Sequence, residues 1–127
     1  MNQQAIRYQL PAILWAVLIF VSSSIPSDKL PPLAVLGIDK LIHFGVFFIF
    51  CLLAHRAFRI QSGIEFLSRH SLLFSIVATI LYGISDEIHQ VFVPGRQSSV
   101  YDALADALGG LLYAGLFRLL PFWRQHP

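Results

Sequence analysis

Long apolar stretches separated by short polar segments dominate the chain. The first uncharged stretch covers residues 8–27, and three shorter apolar stretches cover residues 41–55, 70–85 and 107–117. A helix needs about 20 residues to cross the hydrocarbon core of a bilayer, so the three shorter stretches must extend into neighbouring polar residues. The sequence therefore predicts an all-α, polytopic membrane protein. We expect a bundle of four transmembrane helices, over approximately residues 8–24, 39–58, 71–92 and 100–120, in a single membrane domain over residues 1–127.

The composition supports a membrane protein. The chain has 127 residues, of which 56% are hydrophobic and 13% are charged, whereas a typical soluble domain has roughly 25% charged residues. The formal net charge is only +2 and there is no basic tract, so we expect no nucleic-acid partner and we expect the lipid bilayer as the main partner. A loose likeness of the first apolar stretch to a cleaved signal peptide is less favoured than a retained span.

The basic residues predict the orientation, because Lys and Arg are enriched in cytoplasmic loops. With both the N- and C-termini in the cytoplasm, six of the nine Lys and Arg residues, including Arg124, fall on the cytoplasmic side. The connections agree with four spans. Three prolines exclude one continuous helix over residues 25–38, and Pro94 with Gly95 predicts a tight turn between the third and fourth spans.

Polar residues four positions apart occur at three predicted helix ends, all on the same side of the membrane. The pairs are Asp39 with His43, Asp86 with Gln90, and Asp102 with Asp106. Residues at i and i+4 share one helix face, and lipid cannot solvate them, so these faces should point inward. We therefore predict one outward-facing polar pocket, which Arg96 on the short turn closes.

The residue types in this pocket suggest three kinds of chemistry. Carboxylates can bind a divalent cation, so a divalent cation is a possible cofactor. The candidate metal ligands are Asp86, Glu87, Asp102 and Asp106. His43 can transfer protons, and Arg96 can bind a phosphate or a carboxylate. The candidate catalytic residues are His43, Asp86, Glu87 and Asp102, and the candidate binding residues are Asp39, Gln90, Arg96, Ser99 and Asp106.

Several of these residues also have purely structural interpretations, which the sequence leaves open. Asp39 can be the N-cap of the second span, and Ser99 with Asp102 fits a capping box of the fourth. His43 and Gln90 can form hydrogen bonds between helices.

Two further structural interpretations concern the turn and the fourth span. Arg96 can pair with Asp86 or Glu87 and only make the turn rigid. Small residues of the fourth span recur at steps of four, and this spacing predicts close packing between helix backbones. They are Gly110 and Ala114 after Asp106, and Gly109 after Ala105.

The same motifs carry a family resemblance. Residues 39–44, DKLIHF, resemble the D-K-x-x-H-F element of VanZ-like membrane proteins, and residues 86–102 resemble their D-E-x-x-Q…F-x-P-x-R…S/D element. Asp106 departs from the family pattern, which more often has Asn there. The resemblance implies a multi-span inner-membrane protein of the bacterial cell envelope, and the namesake of the family is associated with resistance to the glycopeptide teicoplanin. It implies no particular reaction.

Three functions follow as alternatives. The first is an envelope protein whose outward-facing pocket binds a lipid headgroup or cell-wall precursor, and an enzymatic form of this hypothesis adds modification of that ligand. The ligand would be a lipid-linked or anionic amphiphile. The second is a non-enzymatic accessory protein whose polar cluster is structural. The third is a small transporter, which is less favoured because no polar pairs are evident in the cytoplasmic half of the sequence.

Overall fold

Five α-helices form the architecture in the computed structural model, which describes residue 3, residues 5–30 and residues 37–120. The helices are Leu10–Ser23 (α1), Ile38–Arg59 (α2), Glu65–Arg69 (α3), Ser71–Gln90 (α4) and Val100–Leu119 (α5). A π-helical turn, Ala5–Gln9, leads into α1, and the 3-10 turn Ser27–Lys29 follows it. The described ranges contain no β-strand. Part of the predicted loop over residues 25–38, and Arg124, lie outside the described residues.

Four helical segments are long and apolar enough to cross a membrane, which confirms the predicted fold class. They cover Ile6–Ser23, Ile38–Arg59, Ser71–Gln90 and Val100–Leu119. Many large apolar side chains on these helices are exposed, for example Leu14 at 57%, Leu81 at 60% and Leu108 at 56%. Such contiguous apolar exposure suits a lipid-facing surface, so the chain is a multi-pass membrane protein.

α2 lies at the centre of the bundle and contacts α1, α4 and α5. Its contact with α5 is very close, because a Cβ atom placed on Gly109 of α5 would overlap the Phe44 carbonyl oxygen and lie 3.0 Å from the Phe48 nitrogen. Glycine therefore lets the two helix backbones touch, as the spacing of small residues in the fourth span predicted.

α1 is attached to the other helices by aromatic side chains. The Trp15 indole nitrogen donates a hydrogen bond to the Val46 carbonyl oxygen at 3.0 Å, and the Tyr82 hydroxyl donates to the Ala16 carbonyl oxygen at 2.7 Å. Each bond satisfies a side-chain donor that lipid could not. The first bond joins α1 to α2, and the second joins α1 to α4.

Neither predicted helix cap forms. The N-cap of α2 is Gly37, with φ +82°, and not Asp39. Ser99 does occupy the N-cap position of α5, but its side chain makes no capping hydrogen bond. Instead the Ser99 backbone N–H donates to Glu87 Oε2 at 2.8 Å, so a carboxylate from α4 takes the place that Asp102 would have in a capping box.

The predicted tight turn before α5 is confirmed. The Arg96 N–H donates to the Val93 carbonyl oxygen at 3.1 Å, and Gly95 has φ +74°. Proline followed by a residue with positive φ is the pattern of a type II turn. The Ser27 N–H donates to the Pro94 carbonyl oxygen at 3.4 Å, so the turn also contacts the segment that follows α1.

Candidate functional site

Four carboxylates are buried where α4 ends and α5 begins. Their residues are only slightly exposed, Asp86 at 5%, Glu87 at 5%, Asp102 at 7% and Asp106 at 0%. We call the end of the bundle defined by these four residues the acidic end. Burying charge is costly unless it is compensated, so the arrangement of the groups around these carboxylates determines what the site can do.

Asp106 contacts the half-buried His43 of α2 across the bundle. His43 Nδ1 lies 3.0 Å from Asp106 Oδ1. The other oxygen, Asp106 Oδ2, is buried and has no hydrogen-bond partner among the described residues. Asp106 fits here because Gly83 faces it, and a Cβ atom on Gly83 would lie 2.9 Å from Asp106 Oδ2. The structural interpretation of His43 as an interhelical hydrogen-bonding residue therefore holds, with a carboxylate as its partner.

A second group at the acidic end has the residue types of a cation site. One ligand atom each from His43, Glu87 and Asp102 lies within 4.8 Å of the others. Glu87 Oε1 is buried without a hydrogen-bond partner in the described part of the chain, because only Oε2 accepts from Ser99. This set differs from the metal ligands expected from the sequence, since it includes His43 and omits Asp86 and Asp106.

Lys40 provides positive charge at the edge of this group. Its ammonium nitrogen lies 2.9 Å from Asp39 Oδ2 and 3.1 Å from Asp102 Oδ1. The Lys40 side chain is 42% exposed, so the ion pairs lie at the rim of the acidic end. Asp39 therefore pairs with a lysine rather than capping α2.

A cavity of about 350 Å³ lies beside this group, between α1, α2, α4 and the turn before α5. Its polar lining consists of Ser22, Ser23, Asp39, His43, Asp86, Gln90 and Arg96. Its apolar lining includes Trp15, Leu18, Ile19, Val46 and Phe47. The cavity is therefore polar on one side and apolar on another.

Asp86 and Gln90 act as a pair within this cavity. The Gln90 side-chain nitrogen donates to Asp86 Oδ2 at 3.1 Å, so Gln90 bonds within its own helix and not across the bundle. The adjacent Glu87 is not part of the cavity lining. Neighbouring residues on a helix point about 100° apart. Asp86 therefore faces the cavity, whereas Glu87 contacts the start of α5 through Ser99.

Arg96 forms no ion pair with Asp86 or Glu87, so the alternative structural interpretation of this residue is wrong. Its Nε donates to the Ile25 carbonyl oxygen at 3.1 Å, and its Nη2 donates to the Ser22 carbonyl oxygen at 2.8 Å. Carbonyl groups at the end of a helix lack partners within the helix, which explains why a guanidinium group binds at the end of α1. These contacts leave part of the guanidinium group to face the cavity that Arg96 lines.

The candidate residues thus divide into two adjoining sites. His43 belongs to both, since it lines the cavity and also lies in the group with Glu87 and Asp102. The sequence model of the VanZ/LLP1 family matches residues 8–121, which is most of the chain. The chain belongs to the VanZ/LLP1 family. No curated protein and no solved structure matches it.

This VanZ/LLP1 protein also contains a polar helix face that our sequence reasoning missed. Five small or polar residues of α4 recur at every fourth position and are buried, namely Ser71, Ser75, Thr79, Gly83 and Glu87. The spacing of four is present in the sequence, but the hydroxyl side chains lie within an apolar stretch and carry no charge, so they did not suggest a polar face. The face extends along the whole of α4 and reaches the acidic end.

The half of the bundle away from the acidic end also contains polar pairs, contrary to expectation. His55 Nδ1 lies 2.7 Å from the Tyr113 hydroxyl oxygen, and the Cys51 thiol lies 3.7 Å from the Ser75 hydroxyl oxygen. The first pair joins residues on α2 and α5 that are far apart in sequence, so no local spacing could reveal it. Cys51 is fully buried.

Proposed function

We propose that this VanZ/LLP1 family member binds an amphiphile from the surrounding membrane in the cavity between α1, α2 and α4. The polar head would lie against Asp86, Gln90 and Arg96, and the apolar part against α1. The observation that carries the proposal is the two-sided lining of the cavity, with charged and amide groups on one side and Trp15 and Leu18 among the apolar groups on the other.

The size and position of the cavity support this proposal. A volume of about 350 Å³ lies within the range of ligand pockets, about 300–1,000 Å³. Leu18, which lines the cavity, is 52% exposed, so an apolar chain can enter from the lipid. In the orientation that we propose, both termini are cytoplasmic, the membrane is the bacterial inner membrane, and the cavity faces outward.

The polar groups favour a particular kind of headgroup. A guanidinium group has five N–H donors, and the contacts of Arg96 to Ile25 and Ser22 use two of them. The remaining donors suit a phosphate or carboxylate, while Asp86 can accept hydrogen bonds from hydroxyl or ammonium groups. A lipid headgroup or a lipid-linked cell-wall precursor offers both kinds of group. His43 supplies an acid–base group for a modifying activity.

A binding measurement on the purified full chain tests this proposal. The protein is placed in nanodiscs of phosphatidylglycerol and phosphatidylethanolamine with a trace of a long-chain polyprenyl phosphate, and native mass spectrometry records the lipids that it retains. Val46→Trp fills the cavity and should reduce retention of the bound lipid at least tenfold. Val77→Trp on the exposed face of α4 (44% exposed) is the matched control. Equal retention by both variants and the wild type would overturn the proposal.

A cellular assay separates binding from a purely structural role. We expect Asp86→Asn and His43→Ala to abolish any protection against teicoplanin that the wild type confers, with unchanged amounts of protein in the membrane. The accessory alternative predicts instead that Asp86→Asn lowers the abundance or the melting temperature, with no separate loss of function. A wild-type phenotype in both variants would contradict the binding proposal.

A second candidate function is transfer of protons or ions across the bundle. The polar face of α4 and the His55–Tyr113 pair favour it, because chains of buried polar groups form relay paths in membrane proteins. Ion-dependent flux into proteoliposomes that stops in Asp106→Ala would support this candidate. Flux equal to that of protein-free liposomes would exclude it.

A further inference from the structure

Three buried carboxylates and one imidazole lie close together between α2, α4 and α5. Glu87, Asp102 and Asp106 are at most 7% exposed, and His43 lies against them from α2. Among the described residues, the ammonium group of Lys40 pairs with Asp102, and His43, at 3.0 Å from Asp106, adds a second positive charge only when it is protonated. Negative charge at this depth therefore exceeds the positive charge that the described side chains supply.

Two unsatisfied oxygen atoms mark where compensation is needed. Glu87 Oε1 and Asp106 Oδ2 are both buried and have no hydrogen-bond partner within the described ranges. A buried carboxylate oxygen without a donor is unfavourable unless a proton or a cation neutralises it. Glu87 is already fixed by the N–H of Ser99 on its other oxygen, so its free oxygen is held in place.

His43 makes the contact to a carboxylate that metal-binding histidines commonly make. Its Nδ1 contacts the fully buried Asp106 at 3.0 Å, which leaves Nε2 as the nitrogen available to a ligand. Histidines that bind metal commonly donate their other N–H to a carboxylate, which sets the tautomer and the ring orientation. This contact is independent of the unsatisfied oxygen of Glu87, and both observations indicate the same occupant.

We infer that His43, Glu87 and Asp102 bind a first-row divalent cation, and that Asp106 orients the imidazole. One nitrogen and two carboxylate ligands favour Zn²⁺ or Mn²⁺ over Ca²⁺ and Mg²⁺. Ligand atoms at about 2.1 Å from one tetrahedral ion lie about 3.4 Å apart, and the three atoms here lie within 4.8 Å of one another. Side-chain rotations that shorten these spacings by up to about 1.4 Å would close the site.

The site is separate from the proposed amphiphile site, although the two share His43. Glu87 and Asp102 do not line the cavity, and the cation site needs no lipid. The three protein ligands leave further coordination positions, and since His43 also lines the cavity, a bound cation would lie at its wall and attract an anionic headgroup. Failure of either proposal leaves the other intact.

Metal binding by the untagged full chain in detergent tests the inference. Zn²⁺ affinity is measured by competition with a chromophoric chelator, and Mn²⁺ binding by electron paramagnetic resonance. Glu87→Gln and Asp102→Asn should each weaken binding at least a hundredfold, and Asp106→Asn about 10–100-fold. Glu65→Gln, an exposed acidic residue outside the cluster, should leave the affinity unchanged. Glu87→Gln keeps a side-chain oxygen that can accept from the Ser99 N–H, so this variant retains the contact between α4 and the start of α5.

Lys40 provides the opposing test. Replacing it with Gln removes the ammonium group beside Asp102 and should tighten Zn²⁺ binding several-fold, because a competing cation has gone. The proposal is overturned if the wild type and Lys40→Gln bind Zn²⁺ and Mn²⁺ no more tightly than Glu87→Gln. In that case Lys40 and bound protons neutralise the cluster.

Discussion

Replacing Gly109 with Ala tests whether the close contact between α2 and α5 builds the site. The new Cβ atom would overlap the Phe44 carbonyl oxygen and lie 3.0 Å from the Phe48 nitrogen. Ordinary contact begins at about 3.4 Å, so the Phe48 nitrogen alone requires the two helices to separate by roughly 0.4 Å, and the nearer Phe44 carbonyl oxygen requires more. Both obstructing atoms belong to the backbone of α2, so no side-chain rotation can relieve the overlap.

Two opposing effects determine the size of the loss. Overpacking of a well-packed interior costs about 1–3 kcal/mol, whereas Ala is better than Gly in a helix by about 1 kcal/mol. The net expectation is a destabilisation of about 0–2 kcal/mol. The same separation would lengthen the 3.0 Å contact between His43 and Asp106 to more than about 3.4 Å, which is beyond the usual range of a hydrogen bond.

Gly115→Ala is the matched control, because it lies on the same helix and a Cβ atom there meets nothing within 4 Å. This change should be neutral or stabilise the protein by up to about 1 kcal/mol. The assay is the free energy of unfolding in bicelles, measured for both variants and the wild type. If Gly109→Ala is as stable as Gly115→Ala, the close contact between α2 and α5 is not as we describe it.

Three further substitutions test other contacts by thermal unfolding in detergent. Ser99→Ala should cost less than about 0.5 kcal/mol, because its hydroxyl group caps nothing. Gly95→Ala should cost about 1–3 kcal/mol, since its φ is +74° and a Cβ atom would overlap the Ser27 hydroxyl oxygen. Tyr113→Phe should cost about 1–3 kcal/mol, because it leaves the buried His55 without its partner.

Each of these substitutions has a control of the same type. Ser98→Ala alters an exposed serine beside the N-cap, and Gly63→Ala adds a Cβ atom that meets nothing within 4 Å. Tyr101→Phe removes a hydroxyl group from a tyrosine that is 71% exposed. A loss of stability near 1 kcal/mol in Ser99→Ala would support the capping box that the sequence suggested. If Gly95→Ala is as stable as Gly63→Ala, or Tyr113→Phe as stable as Tyr101→Phe, the contact described for Gly95 or for Tyr113 is contradicted.

The helices were predictable because burial in lipid leaves an apolar chain few alternatives. Backbone polar groups must bond within each span, so the apolar stretches become helices that end near their polar flanks. Consecutive spans also alternate in direction. The ends that carry Asp39, Asp86 and Asp102 therefore had to meet on one side of the bundle.

The partners of the polar side chains were not predictable in the same way. The contact between His43 and Asp106 depends on how far each helix rotates about its axis and how closely the helices approach. Glycines such as Gly83 and Gly109 allow this close approach, because a Cβ atom at either position would overlap its neighbours. Arg96 binds backbone carbonyl groups of residues more than 70 positions away. Every residue has a backbone carbonyl group, so a sequence pattern cannot indicate which one Arg96 binds. The sequence therefore suggested the nearby carboxylates of Asp86 and Glu87 as partners.

Asp86 and Glu87 allow the two proposed sites to be tested separately, which His43 cannot do because it belongs to both. Asp86 lines the cavity and bonds to Gln90, whereas Glu87 lies in the group with Asp102. Both carboxylates are equally buried, so Asp86→Asn and Glu87→Gln remove the same charge at the same depth. If the two sites are distinct, the Asp86→Asn protein should lose lipid retention and keep Zn²⁺ binding. The Glu87→Gln protein should mainly lose Zn²⁺ binding. Identical losses in both variants would mean that the acidic end acts as one undivided site.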